Sequence, residues 1–131
     1  AKYSLASNSY FVTSKCFEHL NNLGLMKKGK LLRGSKGSKN RFTFEHPIPS
    51  NVIADEVIKN IGDKNKIMNI LRETDLVTVI TYEENDMINR SGYVKKMPIN
   101  SLTQRDMFAR YKLSGVEVPT RRIKVYGAIA R

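Results

Sequence analysis

The chain has 131 residues, of which 40% are hydrophobic and 27% are charged. This length suits a single domain over residues 1–131 and excludes two domains that would each bury a sound core. The formal net charge of +11 at pH 7 indicates a polyanionic partner, with nucleic acid favoured over an acidic protein. No apolar run approaches the ~20 residues that span a bilayer, so a membrane partner is not predicted.

In the N-terminal part an apolar segment is followed by a strongly basic one. Apolar residues at helical spacing predict a first helix over Asn8–Leu23, with Gly24 as its stop. The stretch from Met26 to Arg41 then carries seven basic residues and no acid, and its glycines favour turns. The period-two alternation of Arg41–Glu45 predicts a short strand, which Pro47 ends.

The middle of the chain predicts two helices and a buried strand. Ser50 is the expected N-cap of a second helix that stops at Gly62, and Asp63 is the expected cap of a third. The segment Asp75–Tyr82 is β-branched and nearly all apolar, which is typical of a central strand. The letters EENDMINRSG that follow predict a short helix or turn.

Near the C-terminus, Ser101 and Gln104 have the spacing of a capping box and predict a fourth helix that Gly115 ends. The remaining tail predicts strand material interrupted by Pro119. The predicted fold is therefore α+β, a single domain in which about four helices pack on a small, mostly antiparallel sheet.

The basic stretch is a candidate anion site. Gly29 and Gly34 have the four-residue gap of a nucleotide-binding P-loop, but Ser35-Lys36 follows where that motif needs Lys and then Ser or Thr. The P-loop interpretation therefore fails, and a solvated loop or a phosphate-binding loop remains. The predicted phosphate-binding residues are Arg33, Lys36, Lys39, Arg41 and Arg105.

An acid and an imidazole stand side by side in Glu45-His46, just before Pro47. A histidine whose backbone is fixed by proline suits an acid/base group with a pKa near neutrality, while a structural histidine at the start of the next helix is the alternative. The fourth predicted helix adds Arg110 and Tyr111, a guanidinium beside a hydroxyl, although Tyr111 also fits an apolar core position.

A positive groove with a histidine, a glutamate and arginines suits metal-independent RNA cleavage, in which the ribose 2′-hydroxyl attacks its own phosphate. We predict His46, Glu45, Arg110 and Tyr111 as catalytic residues, with no cofactor and no structural metal. Three alternatives stay open: a non-catalytic nucleic-acid-binding module, a metal-dependent DNA nuclease with His46 as base and Glu45 as ligand, and a domain that binds an acidic protein.

The motifs TFEHPIP, LVTVITYEEND, MP and ARYKLSGVE, spread over Arg41–Glu117, resemble nuclease toxin domains of the contact-dependent growth inhibition type. The matched positions are Glu45, His46, Pro47, Pro49, Glu84, Met97, Pro98, Arg110 and Tyr111. The resemblance implies a ribonuclease toxin that cleaves transfer RNA, is carried on a larger secreted protein and acts in the cytoplasm of a target bacterium. It also implies an acidic immunity protein that blocks the site and elongation factor Tu as a host factor that some such toxins need.

Overall fold

The computed structural model describes residues 9–98, 101–102 and 104–125. Within them the elements are β1 Ser9–Val12, α1 Ser14–Asn22, β2 Met26–Lys27, β3 Lys30–Leu31, α2 Gly37–Asn40, β4 Phe42–Glu45, α3 Ser50–Lys59, α4 Lys64–Thr74, β5 Thr78–Thr81, α5 Tyr82–Arg90, α6 Ala109–Ser114 and β6 Arg121–Val125. Four of these helices, α1, α3, α4 and α5, are nine residues or longer. The predicted α+β class is confirmed.

The strands form one sheet in the order β2-β3-β6-β1-β5-β4. Strand β1 pairs in parallel with β5, and β3 pairs in parallel with β6, while the other neighbouring pairs are antiparallel. The sheet is therefore mostly antiparallel, as predicted. Strand β5 lies between β1 and β4, so the apolar segment around it is an interior strand of the sheet.

Strand β5 is covered by a helix on each face of the sheet. Val79 belongs to a buried cluster with Cys16 and Leu20 of α1, whereas the next residue, Ile80, belongs to a second cluster with Ile88 of α5. Because neighbouring side chains of a strand point to opposite faces, α1 packs on one face and α5 on the other. This two-sided burial explains why the β5 segment is almost continuously apolar.

The predicted first helix over Asn8–Leu23 is wrong in its first half. Asn8 lies outside the described residues, and Ser9–Val12 is strand β1, in which Tyr10 and Val12 are buried and the intervening Phe11 is less so. The helix starts only after Thr13, whose Oγ1 accepts a hydrogen bond from the Cys16 amide at 3.2 Å. Alternation and helical spacing coincide over such a short apolar stretch, and pairing with β5 and β6 decides for the strand.

Helices α3 and α4 form a hairpin whose ends match the predictions more closely. Helix α3 starts at Ser50, although Pro49 occupies the N-cap position, and the Asp63 side chain caps α4 by accepting from the Lys66 amide at 3.1 Å. The apolar face of α3 is only partly covered, because Ile58 is 63% exposed. No helix among the described residues has the length and apolar character needed to cross a membrane.

The predicted fourth helix begins later than its capping-box pattern indicated. Residues 101–102 lie in a turn, and α6 starts at Ala109 after Arg105 takes a left-handed conformation with φ of 56°. That backbone cannot continue a right-handed helix. The predicted stop is confirmed, since Gly115 ends α6 with φ of 79°, and the predicted tail strand is β6, with residues 126–131 outside the described part.

Candidate functional site

The Glu45-His46 segment lies where β4 leaves the sheet. Glu45 is the last residue of β4 and pairs with Thr78 of β5. The chain then passes through His46 into Pro47 and Pro49, both buried, before α3 starts. The prolines restrict the backbone on either side of the turn, so the position of His46 is set by buried neighbours rather than by a mobile loop.

The buried Arg110 of α6 makes hydrogen bonds to this turn. Its guanidinium is 2% exposed, and its Nη1 donates to Glu45 Oε2 at 3.2 Å, to the His46 carbonyl at 2.9 Å and to the Pro47 carbonyl at 3.0 Å. Its Nε donates to the carbonyl of Tyr93 at 2.6 Å. Because charge-assisted hydrogen bonds are short and strong, this one side chain fixes the backbone that follows the imidazole and the carboxylate that precedes it.

Tyr111, the next residue of α6, reaches the same carboxylate. Its hydroxyl donates to Glu45 Oε1 at 2.7 Å. Burial, followed by the charge of Glu45, raises the pKa of Tyr111 well above its usual value, so the phenol keeps its proton. Burial also raises the pKa of Glu45, against the opposing effects of the Arg110 charge and of its hydrogen bonds with Tyr111 and Arg110.

Above the turn lies a pocket of about 530 Å³, within the range of about 300–1,000 Å³ that is usual for ligand sites. Its lining residues are Phe44, Glu45, His46, Pro49, Ser50, Asn51, Asn85, Val94 and Lys95. The walls are tied together, because Asn51 Nδ2 donates to the carbonyl of Lys95 at 2.7 Å. The pocket thus combines an imidazole, a carboxyl group, an ammonium group and two amides.

Such a set of groups can move protons and bind an anion. The imidazole of His46 can accept or donate a proton, and Glu45 is a second titratable group at the same wall. Lys95 supplies a positive charge, and the amides of Asn51 and Asn85 supply hydrogen-bond donors. These are the components that acid/base chemistry on a phosphate ester needs.

The structure brings the four predicted catalytic residues together but gives them different positions. Glu45 and His46 line the pocket, whereas Arg110 and Tyr111 are buried beneath it and contact Glu45 instead. Arg110 and Tyr111 are therefore placed to position the turn. They are not placed to touch a ligand in the pocket.

The predicted phosphate-binding loop does not adjoin the Glu-His turn. Arg33, Lys36 and Lys39 line a separate pocket of about 440 Å³, located before the start of β4, whereas His46 follows its end. Only Arg41, Phe42 and Thr43 lie along the chain between the two sets of lining residues. Three of the predicted phosphate-binding residues therefore do not line the pocket of Glu45 and His46.

The other two predicted phosphate contacts already have acidic neighbours. The guanidinium of Arg41 lies 3.4 Å from Glu83 Oε1 and over the ring of Tyr82. Arg105 lies 3.8 Å from Glu73 Oε1, and both side chains are largely exposed. Exposed pairs of this kind are weak, so neither arginine is withheld from a ligand, but neither lines the His46 pocket.

Three further residues of the pocket, Asn51, Asn85 and Lys95, were not predicted from the sequence. They come from α3, from α5 and from the segment after α5, and no spacing in the chain connects them. A partial signal existed for Lys95, which stands in the charged stretch YVKKMP next to a matched motif.

Comparisons of the chain with protein-family models, with curated proteins and with solved structures found no match. Among residues 9–98, 101–102 and 104–125, no group of three or more His, Cys, Asp or Glu side chains is arranged to hold a metal ion.

Proposed function

We propose that the protein is a ribonuclease that cleaves RNA by attack of a ribose 2′-hydroxyl on the adjacent phosphate. The observation that carries this proposal is the placement of His46, which lines an open pocket on a turn fixed by the buried Arg110. A histidine held in this way meets the first requirement of general acid/base catalysis, which is a defined position relative to the substrate.

In this reaction the ribose 2′-hydroxyl loses a proton and the leaving 5′-oxygen gains one. The 2′-oxygen forms a bond to phosphorus as its proton passes to His46. The bond from phosphorus to the 5′-oxygen then breaks as that oxygen receives a proton. Glu45 is the second proton-carrying group of the pocket, and its raised pKa increases the fraction of the protonated form. Lys95 and the amides of Asn51 and Asn85 stabilise the charge on the phosphate oxygens.

The charge of the chain and the choice of groups both favour RNA. A net charge of +11 attracts a polyphosphate, and RNA carries the internal nucleophile that this chemistry uses, whereas DNA lacks it. Transfer RNA as substrate, a toxin role, an acidic immunity protein and elongation factor Tu as host factor are proposals that rest on the resemblance over Arg41–Glu117.

The test compares His46→Ala with His19→Ala on transfer RNA and on total RNA, with the fold of each variant checked by circular dichroism. His19 is the matched control, because it is the other of two histidines and lies on α1, where its Nε2 is 2.6 Å from the Asn40 carbonyl oxygen. We expect His46→Ala to lower the cleavage rate by about 100-fold or more, the usual contribution of a general acid/base group, and His19→Ala to change it little.

The products and a chelator identify the mechanism. We expect fragments that end in a 2′,3′-cyclic phosphate and an unchanged rate in EDTA. Loss of cleavage in EDTA instead supports the metal-dependent alternative. A folded His46→Ala variant that cuts RNA at the wild-type rate removes His46 from the mechanism.

The second candidate is a nucleic-acid-binding module without catalysis. It is favoured by the location of Arg33, Lys36 and Lys39 in a pocket of their own, since binding through those residues does not need His46. This alternative predicts salt-dependent RNA binding, no cleavage product, and the same affinity for wild type and His46→Ala.

A further inference from the structure

A second basic pocket adjoins the one lined by the loop. The loop pocket of about 440 Å³ and a neighbouring pocket of about 370 Å³ share Leu32 and Arg33 as lining residues. Together they contain six cationic side chains and no acidic one. We call these six residues the basic surface: Lys27, Lys28, Lys30, Arg33, Lys36 and Lys39.

Several of these cations have no counter-ion among the residues that the structure describes. Among the described residues, no ion pair joins Lys27, Lys28, Lys36 or Lys39 to a carboxylate. Like charges gathered in adjoining depressions repel one another, and an anionic ligand relieves that repulsion while it releases its own counterions.

The basic surface is carried on ordered backbone. Strands β2 and β3 pair as a tight hairpin, in which Lys27 faces Lys30 across the strands, and β3 is hydrogen-bonded in parallel to β6. Leu31 anchors the hairpin in the core with 2% exposure. The lysines therefore extend from a fixed platform, which lowers the entropic cost of binding a ligand.

The basic surface and the His46 pocket are separate sites. The two basic pockets and the His46 pocket share no lining residue, and Arg41, Phe42 and Thr43 lie along the chain between them. A ligand that occupies both places must therefore be longer than the group that reacts.

We propose that the basic surface is an RNA-backbone binding site that holds the part of the substrate remote from the cleaved bond. This inference rests on the ribonuclease function proposed above. The basic surface binds phosphates, because lysine side chains on an open surface act as point charges and carry no base recognition. It therefore strengthens the binding of long RNA and leaves the chemical step at His46 unchanged.

The experiment removes two charges in two places. The test variant combines Lys36→Gln and Lys39→Gln on the basic surface. The control combines Lys64→Gln and Lys66→Gln, two exposed residues of α4, and so has the same net charge. Each is assayed for cleavage of transfer RNA and of oligonucleotides a few nucleotides long. Binding of transfer RNA is measured over a range of salt in the His46→Ala background, which prevents cleavage.

We expect the test variant to bind transfer RNA about tenfold more weakly. The slope of log K against log salt concentration should decrease in magnitude by roughly 0.7–0.9 for each phosphate that the variant no longer neutralises. Its kcat/KM for transfer RNA should fall by the same factor, while kcat and the cleavage of short oligonucleotides stay unchanged. The control should lose much less affinity.

Two results overturn the inference. One is an equal loss of affinity in the test and control variants, which means that only net charge matters. The other is unchanged RNA binding in both, which leaves an acidic protein as the ligand class to examine. If the wild type cleaves nothing but the test variant alone loses RNA affinity, the proposed ribonuclease function fails while the RNA-binding role of the basic surface stands.

Discussion

Arg110 shows how a single long-range contact defines the candidate site. Its charge is almost completely removed from water, and Glu45, located 65 positions earlier, is its acidic partner. A buried pair of this kind contributes little net stability over an apolar pair, but loss of one partner leaves the other charge buried and uncompensated. The carbonyls of His46 and Pro47 then lose their donor as well.

We therefore predict that Arg110→Met destabilises the protein by about 3–5 kcal/mol near neutral pH and by less in acid. Burial already raises the folded pKa of Glu45 above its ordinary 4.5, and removal of Arg110 raises it further. A folded state that holds more protons than the unfolded state loses stability as the pH rises through that window. The difference between variant and wild type in urea unfolding should thus be larger at pH 7 than at pH 4.5.

The matched control is Lys112→Met on the same helix. Lys112 is exposed and pairs with Asp106 at 3.0 Å, so its removal should change stability little, with the same small effect at both pH values. A pH-independent loss in Arg110→Met would contradict the assignment of Glu45 as the group left uncompensated.

Residue types in the sequence selected Glu45, His46, Arg110 and Tyr111, and the structure places all four together. Their positions could not be predicted, because the division between pocket wall and buried support depends on how α6 packs under the end of β4. Local sequence contains no information on that packing.

At the scale of elements, the junction of α2 with β4 depends on one glycine. Gly37 is buried, and a Cβ built on it overlaps the carbonyl oxygen of Phe42. Helix α2, which carries Lys39 of the basic surface, thus packs against β4 through a contact that only glycine permits.

We predict that Gly37→Ala destabilises the protein by about 1–3 kcal/mol, because backbone rather than a flexible side chain must move to admit the methyl group. Ser38→Ala, one residue further along the same helix and exposed, should have little effect. Chemical unfolding of both variants checks this, and equal stabilities would show that α2 shifts away from β4 without cost.

Two capping-box patterns show how far local motifs predict elements. Thr81 and Glu84 form the box in both directions at the start of α5, and Glu84 also accepts from Thr13 at 2.7 Å. Ser101 and Gln104 have the same spacing, yet both lie in turns and α6 begins only at Ala109. The pattern succeeds where a buried neighbour supports it, and sequence alone does not reveal which pattern has that support.

On the scale of the whole molecule, charge is distributed unevenly. Residues 50–75, which include α3 and α4, contain five acidic and four basic side chains and so carry a net charge of −1, whereas the rest of the chain carries +12. This near-neutral hairpin also exposes Ile58 and Ile61, at 63% and 74%. A polyanion is therefore drawn to the rest of the molecule rather than to this hairpin.

Composition predicted the basic character and the α+β class, since both follow from totals and periodicity. The order of the strands and the covering of β5 on both faces depend on pairing between distant segments. The first strand illustrates this: Ser9–Val12 pairs with β5 and β6, which follow it by more than 60 residues.

The rate at which a thiol reagent modifies the buried Cys16 reports how often α1 separates from the sheet. It is the chain's one cysteine, it is 0% exposed on the buried face of α1, and burial, followed by the charge of Glu84, raises the pKa of its thiol. Because the thiolate is the reacting species, a thiol reagent can modify Cys16 only when α1 separates from the sheet.

We expect modification to be slow in native buffer and immediate in denaturant, and Arg110→Met to accelerate it in proportion to the lost stability. Mass spectrometry against time gives the rate. Rapid modification of the native protein without that acceleration would show that α1 opens independently of the Arg110 network. One thiol would then separate local opening of the N-terminal helix from unfolding of the whole chain.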